Sequence, residues 1–275
     1  MTRARHAGRR RAGGTPTLRW TARLGLGALG VAGVALVFEL IPRAGVVSPR
    51  YLPPTSAMLG ALGREAATAA FWRALLDTAL GWALGLAIAV AAGAVAGVVI
   101  GSRRGLRAST ASTIEFLRPI PSVALIPVAI LLYGAQLRST LLLVVYASFW
   151  PVLLQVIHGV TDVDPVARDT ALSYRLSRWA MIRHLIVPTA LPYLMTGVRL
   201  SAAVALILAI TAELVIGSPG LGHEIEVARA SSAVPVLYAL ILVVGLLGVA
   251  VNVGFRALER RVLAWHPSVR REVAA

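Results

Sequence analysis

Two residue types are missing from this 275-residue chain: it has no cysteine and no lysine, so all 27 of its basic residues are arginine. Without cysteine it cannot form disulfides, hold zinc through thiolates or use a thiolate nucleophile. Without lysine it can build neither a Walker A phosphate loop nor a Schiff base. The chain therefore cannot hydrolyse ATP by the Walker route, and we predict no catalytic residue, no metal site and no cofactor.

Charge is also scarce, because charged residues make up 14% of the chain and hydrophobic residues 57%, with a mean hydropathy of +0.77. Soluble domains are about 45–50% apolar. The apolar residues form blocks of about 18 or more residues between short polar stretches, which is the spacing that a bilayer imposes. This pattern predicts an all-α polytopic membrane protein with about six transmembrane helices.

The predicted spans divide the chain into a bundle with basic ends. They cover residues 21–41, 78–101, 114–133, 140–160, 191–216 and 235–255. We predict an Arg-rich tail over 1–20, an external loop with an interfacial helix over 42–77, a five-helix core over 78–255 with a loop at 161–190, and a basic tail over 256–275. The interfacial helix is expected because Arg64, Glu65, Arg73 and Asp77 do not suit hydrocarbon.

The formal net charge of +15 is unevenly distributed along the predicted topology. On the division above, 21 arginines fall on one side of the membrane and six on the other, which is the positive-inside pattern. We therefore predict that both termini are cytoplasmic, and that the basic residues serve topology and not nucleic-acid binding. The first apolar run continues to Ile41 without a small-x-small site, which disfavours a cleavable signal peptide.

Two of the predicted spans contain helix-disturbing residues. The second span has glycines four positions apart, at Gly81/Gly85 and Gly93/Gly97/Gly101, a spacing that lets helix backbones approach closely but names no partner. The third span contains Pro119, Pro121 and Pro127. Backbone breaks persist at membrane depth where protein or a water-filled cavity satisfies the freed groups. The prolines thus indicate either a pore-lining segment or a packing kink.

Residues 161–190 have an organisation that membrane anchoring does not require. Asp164 and Pro165 form a helix start, because aspartate caps free amides and proline suits the first helical position. The helix is predicted to run to about Tyr174, with one mostly small-residue face formed by Ala167, Thr170, Ala171 and Tyr174. Ser177 is predicted to cap a second short helix that stops near Pro188. We interpret this pair as a docking element.

This segment resembles the cytoplasmic signature of the inner-membrane permeases of binding-protein-dependent ABC importers. In that signature a Glu-Ala-Ala triplet is followed by glycine and later by Ile-x-Leu-Pro, and here Asp169-Thr170-Ala171, Arg175 and Leu185-x-Val187-Pro188 hold those positions. The nitrate, sulfonate and taurine branch has similar flanks, found here in order as Leu117-Arg118-Pro119-Ile120-Pro121, Val163-Asp164-Pro165, Ser177-Arg178-Trp179, Pro188-Thr189-Ala190-Leu191-Pro192, Gly197-Val198-Arg199-Leu200, Ala212-Glu213-Leu214 and Gly220-Leu221-Gly222.

The resemblance implies a type I importer fold in the bacterial inner membrane and a set of partners. These are a separate ATP-binding subunit, an extracytoplasmic substrate-binding protein and a second copy of the permease, with a sulfonate, taurine, nitrate or similar small anion as cargo. The implied ATPase-coupling residues are Asp164, Pro165, Arg168, Asp169, Thr170, Ala171, Tyr174, Arg175, Ser177, Arg178 and Trp179. Candidates for the translocation path are Arg118, Pro121, Ser122 and Glu213.

Several alternatives stay open at this point. A secondary transporter or an intramembrane enzyme would need ionisable side chains inside the spans, and the mid-span positions are nearly all apolar. Glu213, near the outer end of the fifth span, has either a structural or gating role or a contact with lipid headgroups. Arg118 either attracts an anionic substrate or anchors the inner end of the third span. At Arg175, either the corner after the docking helix has a different shape from the family's, or the guanidinium makes a charge-assisted contact with an acidic group of the ATPase that offsets the strain of a left-handed position.

Overall fold

The computed structural model describes residues 16–265, with side chains from residue 25 onward except that of Arg178. The chain has two compact units, residues 1–60 and 61–275. Most of the predicted tail over 1–20 and half of the basic tail over 256–275 fall outside the described residues, so these assignments stay predictions. Throughout the described range the regular structure is helical.

Eleven α-helices are found within residues 16–265. They are α1 (Pro16–Arg43), α2 (Thr55–Ala66), α3 (Ala69–Gly101), α4 (Arg104–Leu117), α5 (Ile126–Tyr133), α6 (Leu137–Thr161), α7 (Pro165–Ser173), α8 (Arg178–Met181), α9 (Val187–Ile216), α10 (Leu221–Ala230) and α11 (Val234–Val262). A 3₁₀ turn over Ser122–Leu125 precedes α5, and a π-helical segment over Ile182–Ile186 joins α8 to α9.

In the first unit, α1 supplies an apolar stretch, Gly25–Arg43, that is long enough to cross a membrane. Its last turns bind the residues that open α2. Glu39 accepts hydrogen bonds from the backbone N–H of Ser56 at 2.8 Å and from its hydroxyl at 2.9 Å. The Thr55 hydroxyl donates to the carbonyl of Ala35 at 2.8 Å. These bonds close the loop that follows the first span.

The predicted interfacial helix over 57–77 is shorter than expected. Thr68 caps a new helix, because its hydroxyl accepts a hydrogen bond from the N–H of Phe71 at 3.2 Å. That helix, α3, runs without interruption from Ala69 to Gly101. Arg73 and Asp77 consequently lie on the first turns of the second span, and α2 alone is the short helix that precedes it.

The glycine stripe of α3 packs against α6. A Cβ added at Gly85 would lie 2.9 Å from Val144 Cβ, and one at Gly97 would lie 2.7 Å from Val156 Cβ. Gly93 and Gly101 meet Val152 and Val160 in the same way. The predicted close approach is therefore confirmed, and its partner is a stripe of valines. Because each valine lies 59 positions after its glycine, the two helices run parallel.

Parallel packing requires the chain to return across the membrane between α3 and α6. The only connection is the α4–α5 pair, which passes the length and composition test for a span together but is bent by 80°. Five further helices qualify individually. The prediction of about six spans is therefore confirmed. The third span, predicted over 114–133 with three prolines in it, is broken at Pro119 and Pro121, which interrupt the backbone ladder, and it begins earlier, at Arg104.

The remaining core is built on α9, which runs antiparallel to α6. Gly159 near the end of α6 packs against Ala190 at the beginning of α9, and Gly197 packs against Gln155. The hydroxyl of Ser201 donates to the carbonyl of Ser148 at 2.6 Å between them. At the opposite end, α10 and α11 pack on α3 through buried Phe71, Leu221, Ile225 and Leu240. We call the end of the bundle where α6 ends and α9 begins, next to α7, the α7 side. The opposite end, where α10 packs on α3, is the α10 side.

Candidate functional site

The helix predicted from Asp164 and Pro165 is α7. Asp164 caps it, because its Oδ1 accepts a hydrogen bond from the N–H of Val166 at 2.8 Å, and Pro165 is its first residue. It ends at Ser173, one residue before the predicted limit at Tyr174. The local signals that mark helix ends thus account for both boundaries.

The faces of α7 differ from the predicted small-residue face. Of the four residues in that face, Ala171 is buried, with 8% exposure, and packs toward the chain itself. Val166 and Tyr174 are 71% and 79% exposed, and Thr170 lies exposed between them. Val166, Thr170 and Tyr174 are therefore exposed on α7, whereas Ala171 packs against the rest of the chain.

The corner after α7 is a Schellman motif closed by Arg175. Its φ is +52°, in the left-handed region. The N–H of Leu176 donates to the carbonyl of Ala171 at 3.0 Å, and that of Arg175 donates to Leu172 at 2.9 Å, the two bonds that define the motif. The corner keeps the shape that favours glycine, which excludes the alternative of a different shape at Arg175. The Arg175 side chain is exposed and has no ion pair within the described residues.

The second predicted helix begins as expected but does not stop. Ser177 caps α8, because its hydroxyl accepts a hydrogen bond from the N–H of Ala180 at 3.2 Å, and Trp179 is 70% exposed. The side chain of Arg178 lies outside the described part of the structure. Pro188 does not end the helix, because it is at the first turn of α9, where a missing N–H is tolerated. The π-helical segment joins α8 to α9 without a break, so the fifth span begins within the second predicted helix.

Arg118, Pro121 and Ser122 lie together at the break between α4 and α5. The hydroxyl of Tyr146, in the middle of α6, donates to the carbonyl of Leu117 at 2.7 Å, so the break lies level with the middle of that candidate span. Arg118 was expected at the inner end of the third span, and that position is wrong because α4 already occupies that half of the crossing. Arg118 and Pro121 are exposed on the surface of the chain, and Ser122 is half-buried.

Glu213, near the end of α9, has a different environment from this group. It is 1% exposed, so it does not reach headgroups. Its Oε2 accepts hydrogen bonds from the hydroxyl of Thr78 at 2.8 Å and the N–H of Gly222 at 3.0 Å. The Thr78 oxygen in turn accepts from the N–H of Leu221 at 2.8 Å. The carboxylate thereby satisfies free amides at the beginning of α10.

The turn over residues 217–222 closes around this carboxylate. A Cβ at Gly220, whose φ is +150°, would overlap the carboxyl group of Glu213. Ser218 and Thr140 share a hydrogen bond of 2.8 Å between their hydroxyls. Sequence reasoning missed Thr78 and Thr140, because single hydroxyl residues near span ends form no pattern. The clustered glycines after Glu213 were the available signal for a close backbone approach.

The outer surface of α10 carries an ion pair. Arg229 Nε donates to Glu226 Oε2 at 2.7 Å, and this hydrogen bond lowers the pKa of the Glu226 carboxyl while raising the pKa of Arg229. Both side chains face solvent, so the pair contributes little to stability. Within the described residues no group of three or more His, Asp or Glu side chains could hold a metal ion.

Comparison with known families matches most of the second unit. Residues 89–264 match the family described as "Binding-protein-dependent transport system inner membrane component". The matched stretch includes the α4–α5 break, α7 with its corner, and the Glu213 turn.

Individual relatives are similar over most of the chain. The putative aliphatic sulfonates transport permease protein of Escherichia coli K12 is 34% identical over 92% of this chain and 96% of its own length. The taurine transport system permease protein of the same bacterium is 34% identical over 57% of each chain. The riboflavin transport system permease protein of Chloroflexus aurantiacus is 31% identical over 92% of this chain and 96% of its own.

A solved structure shares the fold. A chain from the inward-facing MetNI methionine ABC transporter superposes with a TM-score of 0.60, covering 70% of this chain and 96% of that one. At 15% identity this likeness concerns the fold alone.

Proposed function

Because the chain belongs to the family of binding-protein-dependent transport system inner membrane components, we propose that two copies of it enclose a path for a small organic anion of the sulfonate type. The chain is a multi-pass permease subunit of an ABC importer, a transport component and not an enzyme. Such a subunit works with a separate ATP-binding subunit and a substrate-binding protein. The names of two relatives, for aliphatic sulfonates and for taurine, support a sulfonate cargo. A third relative is named for riboflavin, so riboflavin is the competing cargo in the test below.

The observation that carries the path is Arg118, an arginine that is exposed on the chain at mid-membrane depth. A charged side chain there cannot face lipid without a large cost, so such residues face protein or a water-filled cavity. The adjoining α4 has no buried residue, and Ser109, Ser112, Thr113 and Glu115 are exposed along it. A second copy facing α4 and the break would cover this polar surface and leave an aqueous route between the copies.

The orientation follows from charge. Arg103, Arg104 and Arg107 lie between α3 and the body of α4, on the α7 side, and Arg168, Arg175 and Arg183 add to that side. The positive-inside rule makes this the cytoplasmic side, with α10 and its turn outside. Six crossings then place both termini in the cytoplasm.

Coupling to the ATPase is assigned to α7 and its flanks. Val166, Tyr174 and Trp179, on α7 and its flanks up to the beginning of the fifth span, are all at least 70% exposed. Exposed apolar clusters of this kind mark contacts with partner proteins. Docking of α7 in a groove of the ATP-binding subunit would let closure of the ATPase dimer move the two permease copies between inward-open and outward-open states.

The path and its cargo are tested together by substitution at Arg118. Arg118→Gln should lower uptake of a labelled alkanesulfonate into vesicles containing the complete transporter by about tenfold or more, because a charge-assisted hydrogen bond contributes about 1.5–3 kcal/mol. Arg118→Lys should retain part of the uptake, and Arg64→Gln, at an exposed arginine beyond the spans, should retain it all. Equal uptake by Arg118→Gln would remove Arg118 from the path. Uptake of riboflavin but no sulfonate would overturn the proposed cargo.

The dimer and the topology are tested by introduced cysteines, since the chain has none. Phe116, 73% exposed on α4, should cross-link between copies after Phe116→Cys, whereas Val95→Cys, at a 67% exposed position on α3, should not.

An impermeant thiol reagent should label Ser231→Cys from outside intact cells and leave Ser173→Cys unlabelled. Efficient labelling of Ser173→Cys would reverse the orientation. Ser139, which is fully buried, is unsuitable for labelling.

A further inference from the structure

A cavity of about 660 Å³ lies on the α7 side, apart from the α4–α5 break and from the exposed face of α7. It is bounded by the end of α3, the first turn of α4, one face of α7 and the π-helical segment. Its charged lining consists of Arg104, Arg107, Arg168 and Asp169, and we refer to it as the arginine cavity.

The arginine cavity has an excess of unpaired positive charge. The ion pairs among the described residues are Glu39–Arg43, Arg199–Glu259 and Glu226–Arg229, so none of the three lining arginines is in one. Asp169 is the single acidic residue of the lining. In addition, Arg103 caps α4 with no side-chain hydrogen bond, which leaves the first-turn amides of a 14-residue helix open toward an anion.

The depth of the arginine cavity places it at the membrane interface. Gly101 and Val160, the closely packed ends of α3 and α6, lie in its lining, so the cavity begins where the spans end. Leu172, Leu185 and Ile186 supply apolar surface beside the arginines. A phosphate group with hydrocarbon attached matches this combination, whereas a free phosphate would use the charge and leave the apolar wall uncovered.

The residues of α7 that line the arginine cavity include Pro165, Arg168 and Asp169, which the family resemblance implied for ATPase coupling. Pro165, Arg168, Asp169 and Leu172, at positions i, i+3, i+4 and i+7, turn one face of α7 toward the cavity. Val166 and Tyr174, the exposed residues proposed for docking, belong to other positions of the helix. The two faces of α7 can therefore be occupied at the same time.

We propose that the arginine cavity binds the phosphate headgroup of an anionic phospholipid, held by Arg104 and Arg107 from α4 and by Arg168 from α7. The proposed orientation of the chain places the arginine cavity in the cytoplasmic leaflet. No other part of the proposal rests on that orientation. A bound headgroup links α4, which faces the proposed path, to α7, which faces the ATPase. It neutralises three arginines that would otherwise repel one another across the cavity.

The test measures lipid retained by the full-length chain. Purified protein is exchanged into phosphatidylcholine mixed with phosphatidylglycerol, and bound lipid is counted by native mass spectrometry over a phosphatidylglycerol titration. The unsubstituted chain should bind phosphatidylglycerol selectively. Arg104→Gln, Arg107→Gln and Arg168→Gln should each weaken that binding by about fivefold, the factor that corresponds to about 1 kcal/mol per basic residue near a membrane surface.

Matched controls separate the cavity from general surface charge. Arg103→Gln and Arg183→Gln remove exposed arginines on the same side that do not line the cavity. They should leave phosphatidylglycerol binding within twofold of the unsubstituted chain. An equal loss in control and cavity variants, or no loss in any variant, would overturn the proposal. Correct folding of each variant is checked by an unchanged melting temperature.

A second measurement locates the lipid and identifies its source. Ser102, exposed at the rim of the cavity, is replaced by cysteine, and Ser173, on α7 outside the lining, serves as the control. Phosphatidylglycerol should slow alkylation at position 102 and not at 173. Protection by inorganic phosphate or glycerol phosphate in phosphatidylcholine alone would overturn the lipid assignment in favour of a soluble anion. Because this readout requires neither transport nor the ATPase, its failure is distinguishable from failure of the proposed transport function.

Discussion

The short helices α7 and α10, on opposite sides of the bundle, end in the same way but are held differently. Each closes with a Schellman motif at a non-glycine residue of positive φ, Arg175 at +52° and Ser232 at +57°. Yet α10 buries Leu221, Gly222, Ile225 and Ala228, whereas α7 buries Ala171 alone.

The difference shows which of the two helices is held in place by residues of this chain. The beginning of α10 is bound by Glu213 and Thr78, residues from two other helices. The described contacts of α7 are mainly its own caps, and a helix of nine residues is marginal without tertiary packing. The chain's own residues thus hold the α10 side, and in the proposed function other molecules complete the α7 side.

The largest effect is expected where α10 meets the core. A Cβ at Gly222 would overlap the carbonyl oxygen of Ile210 and lie 2.9 Å from the N–H nitrogen of Leu214, both backbone atoms of α9. Gly222→Ala should cost at least the upper end of the about 1–3 kcal/mol typical of overpacking, because backbone cannot move aside. The melting temperature in detergent and the yield of folded protein should both fall. Gly105→Ala, with no atom within 4 Å, is the control and should lose neither.

The next effect tests the polar contacts of α10. Thr78→Val removes the hydroxyl that donates to Glu213 and accepts from Leu221, at nearly constant volume. Leaving those buried partners unsatisfied should cost about 2 kcal/mol of unfolding free energy. Thr78→Ser keeps the hydroxyl and should lose less than half as much. Equal melting temperatures for all three proteins would mean that α10 does not depend on this network.

A smaller effect, and of a different kind, is expected on α7. Val166→Asp places a charge in the exposed face proposed for docking, and Val227→Asp makes the matched change on α10, where the valine is 46% exposed. Neither should alter the melting temperature of the isolated chain. Val166→Asp alone should weaken association with the ATP-binding subunit, by about tenfold or more if this valine is a central contact. Equal association of both variants would remove this face of α7 from the interface.

The smallest effect concerns the two corners. Arg175→Gly and Ser232→Gly relieve a left-handed backbone that costs non-glycine residues about 1–2 kcal/mol, offset in part by the greater flexibility of glycine in the unfolded chain. Both should raise the unfolding free energy of the isolated chain by at most about 1 kcal/mol. If Arg175 also binds an acidic group of the ATPase, Arg175→Glu should reduce co-purification far more than Arg175→Gly. An acidic-to-basic change on the ATPase should then restore it.

Local features of α7 could be predicted from the sequence because neighbouring residues determine them. Asp164 and Pro165 define its beginning, and the resemblance to the permease signature placed Arg175 at a corner position that favours glycine. The six apolar blocks were equally accessible, since the bilayer fixes their length. Pro188 misled the prediction because a proline that ends one helix and a proline that begins another look the same in sequence.

Features that depend on distant residues could not be predicted. Thr78 and Glu213 are 135 positions apart, and no local pattern pairs them. The glycines of α3 indicated close packing, but the valines of α6 could be identified only once the helix register was known. Likewise the depth of Arg118 depends on where α4 meets Tyr146, which is a tertiary contact.

The uninterrupted helical path from Trp179 to Ile216 has a mechanical consequence. It begins five residues after Tyr174 and ends three residues after Glu213, so one rod of 38 residues, roughly 55 Å long, has its two ends beside α7 and beside the 217–222 turn. Helices transmit axial displacement with little loss, whereas loops absorb it. In the proposed mechanism, a displacement of α7 by the ATP-binding subunit would therefore reach the 217–222 turn along this one helix, through the π-helical segment that joins α8 to α9.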